Sequence, residues 1–215
     1  MKGGEGFRRD QNEAFVGTEE SKISSYLKRI ALILGREGLP VLRGNCRIDI
    51  RGFGGIFPLD EIEVDLARAG EREREFKRGD EEGGREAVVD DHFEMFKTAL
   101  FHKFLGESFV VVRSSKYDDI FNQVDNVILD KETGNVVCAF DEVKAISSPI
   151  LTEKKMRVAE KNKKGGASLK YGLGMKIEDG EKKIIPQGEI RNIPIFYLAL
   201  SERYLYKIMK SFDPD

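Results

Sequence analysis

Three charged residues lie on the two strands of one predicted hairpin. Asp125 is near the start of the first strand, and Glu142 and Lys144 are near the end of the second. Alternate residues of a strand face the same side, so Glu142 and Lys144 share a face. If the turn is the four residues 131–134, Asp125 lies opposite Phe140 and diagonal to Glu142, about 7 Å away. A one-residue bulge would instead turn Asp125 to the other face.

Two carboxylates at such a separation can bind one divalent cation through oxygen ligands. The strand before Glu142 is otherwise apolar, so charged groups at its end need a partner or a metal ion. A bound metal ion lowers the pKa of a water ligand and offsets phosphate charge, while an ammonium group stabilises the charged transition state. The pattern therefore indicates phosphodiester hydrolysis. The alternative is an exposed Glu142–Lys144 pair at a strand end, with Asp125 as a turn residue.

The motif itself is Asp125, a gap of sixteen residues, and then Glu-Val-Lys at 142–144 after an apolar strand. This arrangement resembles the PD-(D/E)XK nuclease superfamily, whose members have the restriction-endonuclease-like fold. The resemblance covers residues 88–200, including the helices before the first strand and after the motif. It implies that Asp125 and Glu142 bind Mg²⁺ or Mn²⁺ and that Lys144 is the catalytic lysine.

The resemblance also adds a fourth residue. Many members of the superfamily have another acidic ligand on the first helix, and Glu94 is the matching position here. Glu94 lies at the edge of the apolar stripe of its helix, so its side chain could point toward the site or, equally well, into solvent. The chain departs from the motif at Val124, where the family pattern has proline. The substrate implied by the resemblance is nucleic acid, with DNA favoured.

A basic stretch follows the motif directly. In a nuclease it would contact the phosphate backbone, whereas in other proteins such a run is a solvated face. The residues that we assign to nucleic-acid binding on this basis are Lys154, Lys155, Arg157, Lys161, Lys163 and Lys164.

Periodicity along the chain predicts an α/β protein. We expect a mixed central β-sheet flanked by helices, with an α-β-β-β-α-β core of the restriction-endonuclease-like type and a small N-terminal addition. The predicted helices cover residues 23–34, 60–69, 92–105, 152–164 and 202–212, and the predicted strands cover 109–112, 124–129, 136–145 and 193–200, with a further hairpin over 168–187.

Two segments of the chain are predicted. Residues 1–85 form an N-terminal extension or small subdomain, in which the first 17 residues are polar, Gly-rich and poorly ordered. Residues 86–215 form the nuclease-like domain. The stretch 71–85 is almost wholly charged or glycine, and it predicts an exposed connection between the two segments.

The composition excludes several classes of protein. The chain has 215 residues, 40% of them hydrophobic, and no apolar run long enough to cross a membrane. Two distant cysteines make no disulfide framework, which favours the reducing cytoplasm. Neither a zinc-ligand spacing nor a phosphate-binding glycine loop is present. High Lys and Glu content with few Asn, Gln and Cys is typical of thermophilic proteins.

Two other functions remain open. The first is a nucleic-acid-binding module that has this fold but no catalytic activity. The second is a structural protein that binds a partner through its acidic region at 60–94. The oligomeric state is also open, with a dimer expected if the chain self-associates.

Overall fold

The chain contains both helices and strands, as expected for an α/β protein. The computed structural model describes residues 5–78, 83–143, 149–199 and 202–213. Short helical turns, one of 3-10 type at Ile50–Phe53 and one of π type at Asp118–Asn122, connect some of these elements. The helices are α1 (Glu5–Arg36), α2 (Leu59–Arg78), α3 (Gly83–Leu105), α4 (Pro149–Lys163) and α5 (Glu202–Ser211), and the strands are β1 (Phe109–Arg113), β2 (Asn126–Asp130), β3 (Val136–Val143), β4 (Ala167–Glu178), β5 (Glu181–Ile193) and β6 (Ile195–Ala199).

The central sheet has four strands in the order β1-β2-β3-β6. The first three are antiparallel neighbours, and β6 pairs with β3 in parallel. A parallel neighbour requires a long crossover, which here consists of α4 and the β4–β5 hairpin. The β-branched run Val110–Val112 is fully buried in β1, as expected for a strand covered on both faces.

Helices α3 and α4 cover opposite faces of this sheet. From α3, the Phe101 ring stacks on Phe140 of β3 with centroids 5.2 Å apart. From α4, the Arg157 guanidinium donates to the Asp141 carboxylate at 2.7 Å. Phe140 and Asp141 are consecutive strand residues, so they point to opposite faces. The predicted mixed central sheet flanked by helices is therefore confirmed.

The second sheet is the β4–β5 hairpin, which packs against the N-terminal segment. Tyr171 of β4 makes edge-to-face contacts with Phe53 and Phe57, with centroids 5.2 Å apart in both pairs. Its hydroxyl donates to the buried Asp65 carboxylate of α2 at 2.8 Å. Buried side chains between residues 23 and 212 accordingly belong to one hydrophobic cluster. The predicted domain boundary near residue 85 stays a prediction.

The N-terminal helices are longer than predicted. Helix α1 begins at Glu5, within the stretch expected to be poorly ordered, and α2 continues to Arg78 through the stretch expected to be a connection. Glu, Arg and Lys are good helix formers, so a charged stretch without proline favours a helix even when no apolar periodicity marks it. The Arg72–Glu75 ion pair at 2.8 Å is the i,i+3 contact that such a helix provides.

The structure also bears on membrane spans and on the two cysteines. Among the described residues, none of the helices is both long and apolar enough to cross a membrane. Cys46 and Cys138 are free thiols, the first buried and the second half-buried. Burial raises the pKa of Cys46 to about 12, so this thiol stays protonated.

Candidate active site

The register of the β2–β3 hairpin decides where the motif residues lie. The turn is as predicted, because the Asp130 amide donates to the Asn135 carbonyl at 3.0 Å. The register then shifts between Ile128 and Leu129, which leaves Val137 of β3 as an extra, bulged residue. As a result Asn126, rather than Asp125, lies opposite Phe140. The predicted Asp125–Phe140 register is thus wrong by one residue.

Asp125 nevertheless meets Glu142, by another route. It lies one residue before β2, where its amide donates to the Phe140 carbonyl at 2.8 Å and its carbonyl accepts from Ser114 at 2.9 Å. Its carboxylate Oδ2 accepts a hydrogen bond from the backbone amide of Glu142 at 2.5 Å. The bulge therefore changes the register between the two motif acids, but a hydrogen bond from the Glu142 amide to the Asp125 carboxylate still joins them.

The Glu142 carboxylate is buried between groups from two other elements. Asn126, which shares its sheet face, donates from Nδ2 to Oε1 at 2.6 Å. The Lys97 ammonium of α3 forms an ion pair with Oε2. Lys97 is 5% exposed and Glu142 is 6% exposed, so this ion pair is inside the protein.

Glu94 points inward and is bound by two arginines. Arg113, at the end of β1, donates to its Oε2, and Arg47 lies 3.6 Å from the same oxygen. Arg47 also donates to the Asp119 carboxylate at 2.9 Å. The Glu94 side chain is 26% exposed and pairs with both arginines, and the prediction that it binds a metal ion stays a prediction. The N-terminal segment also reaches the site, because Arg47 belongs to it.

Glu94, Asp119, Asp125 and Glu142 form what we call the acidic cluster, and their charges act on one another. The pKa of Asp125 is raised well above its usual value, first by burial and then by the charges of the other three. Burial also raises the pKa of Glu94, against the opposing effect of Arg113. Ionised carboxylates are disfavoured at such a place unless a cation compensates them. A cation added beside Asp125 would accordingly favour the ionised form of that carboxylate.

The third motif residue cannot be placed in the same way. Lys144 lies outside the described residues, which stop at residue 143 and resume at residue 149. The prediction that it joins Asp125 and Glu142 stays a prediction.

Half of the basic stretch points inward. Lys154 and Arg157 form ion pairs with Asp141 at 2.6 and 2.7 Å, and Lys154 also donates to the Glu142 carbonyl. Lys161 donates to the Asn122 carbonyl at 2.5 Å. These three side chains hold α4 on the sheet beside the acidic cluster.

The other half of the stretch is exposed to solvent. Lys155 lies over the Tyr197 ring, with the ammonium 5.5 Å from the centroid. Lys163 and Lys164 are at the end of α4, where Lys164 pairs with Glu160 at 2.6 Å. These three ammonium groups are the part of the stretch that a phosphate backbone could reach.

Asp125 and Glu142 supply the carboxylate oxygens that a hard cation needs. Within the described residues, no group of three or more His, Cys, Asp or Glu side chains is arranged to hold a metal ion. However, Mg²⁺ is commonly bound by only one or two carboxylates, with water and substrate phosphate completing its coordination. In the described part of the chain, the buried Glu142 Oε2 accepts no hydrogen bond, although the Lys97 ammonium is beside it. The residues present therefore fit Mg²⁺ or Mn²⁺.

Sequence reasoning missed four residues of this site: Arg47, Lys97, Arg113 and Asn126. Weak signals for three of them were present. Lys97 follows Phe96 directly and comes three residues after Glu94, while Arg113 ends the apolar run of β1 and Asn126 precedes that of β2. Arg47 lies in a loop without periodicity and had no such signal.

Comparison with models of known protein families, with curated proteins and with solved structures finds no match for this chain.

Proposed function

We propose that this protein hydrolyses phosphodiester bonds in nucleic acid, with Mg²⁺ or Mn²⁺ as its cofactor. The observation that supports this most is the partly buried acidic cluster, in which desolvation and like charges raise the pKa of Asp125 and of Glu94. A protein that gathers ionisable carboxylates from four places in its chain pays for their desolvation, and a bound cation is the simplest compensation. The resemblance of the motif to nucleases favours DNA as the substrate.

Asp125 and Glu142 are the residues that would hold the metal ion, with Glu94 beside them. The metal ion would lower the pKa of a bound water molecule and offset the charge of the scissile phosphate. The chain itself orients both ligands: Asn126 fixes one oxygen of Glu142, and the Glu142 amide fixes one oxygen of Asp125. Lys144 would supply the ammonium beside the phosphate, as the motif implies.

Binding of the substrate backbone would involve the exposed ammonium groups of Lys155, Lys163 and Lys164. Phosphate contacts of this kind provide affinity without sequence preference. Lys154, Arg157 and Lys161, which we had included in the same surface, would instead support the site from behind, because their charges are used within the protein.

A nucleic-acid-binding module without catalytic activity is the second candidate. One observation favours it: the carboxylates of the acidic cluster already have partners from the chain. Arg47 and Arg113 bind Glu94, Lys97 binds Glu142, and a backbone amide binds Asp125. Such an internally compensated cluster is also what a fold would have if it used these charges for structure alone.

The test is cleavage of labelled single- and double-stranded DNA and RNA in Mn²⁺, in Mg²⁺ and in EDTA. We expect cleavage only with a divalent cation. Asp125→Asn and Glu142→Gln should each reduce it at least a hundredfold, because each removes a ligand charge while keeping the side-chain shape. Glu132→Gln is the matched control, since Glu132 lies on the exposed turn of the same hairpin.

Each result separates the candidates. Undiminished cleavage in EDTA would refute the metal mechanism. Retention of nucleic acid without cleavage in either metal would favour the binding module. Cleavage that Asp125→Asn and Glu132→Gln leave equally unchanged would show that the acidic cluster is not the active site.

A further inference from the structure

Lys97 is a buried lysine that contacts one of the proposed metal ligands. It lies on α3, one turn after Glu94, and its side chain is 6% exposed, while the Glu142 side chain that it meets is 1% exposed. Removing an ammonium group from water is costly, so a lysine is retained at such a place only with a charged partner. Here that partner is the carboxylate of Glu142, which the sequence motif implies to be a metal ligand.

The contacts of the two Glu142 oxygens indicate which of them a metal ion could bind. Oxygen Oε1 already accepts from Asn126 at 2.6 Å, and Asn126 is itself held by the Thr98 hydroxyl at 2.9 Å. Within the described residues, oxygen Oε2 accepts no hydrogen bond and forms its ion pair with Lys97. An ion that used Glu142 as a ligand would therefore take the oxygen that Lys97 now pairs with.

We infer that Lys97 is a tethered counter-ion that competes with the divalent cation for Glu142. This inference rests on the proposed function, because it concerns the same metal site. In the absence of metal the ammonium compensates the carboxylate and keeps the site folded. With Glu142 as a metal ligand, this ammonium would give up its place at Oε2 and would remain on α3 beside the acidic cluster. Lys97 is thus a positioning residue that sets metal affinity.

The experiment measures Mn²⁺ affinity by titration calorimetry for the full chain and for variants at this position. Lys97→Met removes the competing charge, so it should bind Mn²⁺ about tenfold more tightly, a coupling of ordinary size. Lys97→Gln should show the same gain, and it provides a folded alternative because its amide can still donate to Glu142. In the double variant Lys97→Met/Glu142→Gln the gain should disappear.

Melting temperatures give a readout that does not depend on catalysis. In EDTA, Lys97→Met should melt below the parent protein, and Mn²⁺ should raise its melting temperature by more than it raises that of the parent. Lys103→Met is the matched control. Lys103 lies on the same helix, but its ammonium donates to the Asp213 carbonyl rather than to Glu142.

The outcomes distinguish this inference from the function on which it rests. If the parent binds Mn²⁺ and folded Lys97→Gln binds it equally or less tightly, the competition is refuted while the metal-dependent function stands. If neither the parent nor the Lys97 variants bind Mn²⁺, both proposals fail. If Lys103→Met gained as much Mn²⁺ affinity as Lys97→Met, the gain would come from the change in net charge alone, and the competition would also be refuted.

Discussion

Asp118 is expected to be the most sensitive polar residue near the site, although it does not belong to the acidic cluster. Its carboxylate accepts four hydrogen bonds: from the Ser115 hydroxyl at 2.6 Å, the Asn122 amide at 2.6 Å, and the backbone amides of Lys170 and Tyr171 at 2.7 and 3.2 Å. The two backbone amides belong to β4, so these two bonds join the π-helical turn to that strand. Asp118→Ala would leave two backbone amides without their acceptor.

The size of the effect follows from those two amides. A buried donor without an acceptor costs about 1–3 kcal/mol, so Asp118→Ala should lower the free energy of unfolding by about 4 kcal/mol. For a chain of this length that corresponds to a fall in melting temperature of roughly 8–16 °C. Asp118→Asn should be less destabilising than Asp118→Ala, because one oxygen remains as an acceptor and the Ser115 hydroxyl can rotate to accept a hydrogen bond from the new amide.

The assay is unfolding in guanidinium chloride at pH 7 with EDTA, followed by circular dichroism. Asp130→Ala is the matched control, because Asp130 also accepts two backbone amides, at 2.8 and 2.7 Å, but in an exposed turn. A loss below about 1 kcal/mol for Asp118→Ala would be no larger than one ordinary hydrogen bond. That result, or a loss equal to that of Asp130→Ala, would refute the anchoring role.

Two further predictions concern pH and backbone conformation. Burial, with the charge of Lys131, lowers the pKa of His102 to about 4, so its NMR signals should titrate near that pH. The protein should therefore be most stable above pH 6.5 and lose stability as the pH falls toward 4, because the unfolded chain takes up the proton first; titration near 6.5 would contradict this. Gly134→Ala should destabilise the protein by about 2 kcal/mol or more, because φ is +72° and a Cβ atom would lie 2.1 Å from Met175 Cβ. Gly180→Ala, at φ +80° with open space around it, should cost only the backbone strain of about 1–2 kcal/mol, and equal losses in chemical denaturation would exclude the Met175 contact.

The sequence predicted the sheet better than it predicted the site. Strands β1 and β6 were readable because their residues are β-branched or aromatic and bounded by turns, and the hairpin turn at 131–134 was correct. The bulge at Val137 was not readable, since Val-Val-Cys-Ala-Phe fits a regular strand equally well. A bulge is decided by which register buries more side chains, and that depends on α3 and α4, which lie elsewhere in the sequence.

The site residues that were missed share a physical cause. Arg47, Lys97 and Arg113 are charged side chains whose burial is possible only because acids from other elements meet them. Periodicity reports which face of an element is apolar, but it does not report which charges will find partners across the fold. The motif predicted the acids, and tertiary contacts alone determined the cations.

The bulge at Val137 has a consequence for changes in the length of this hairpin. Ile128 pairs with Cys138 and Leu129 with Val136, so Val137 has no partner of its own, and its side chain is 44% exposed. Deleting this residue would leave the pairing on both sides of it intact. Inserting a residue between Phe140 and Glu142 would instead move Glu142 by one position relative to Asn126 and turn it to the other face. Among related chains, the loss of one residue at the bulge should therefore be tolerated, and insertions between Phe140 and Glu142 should be eliminated.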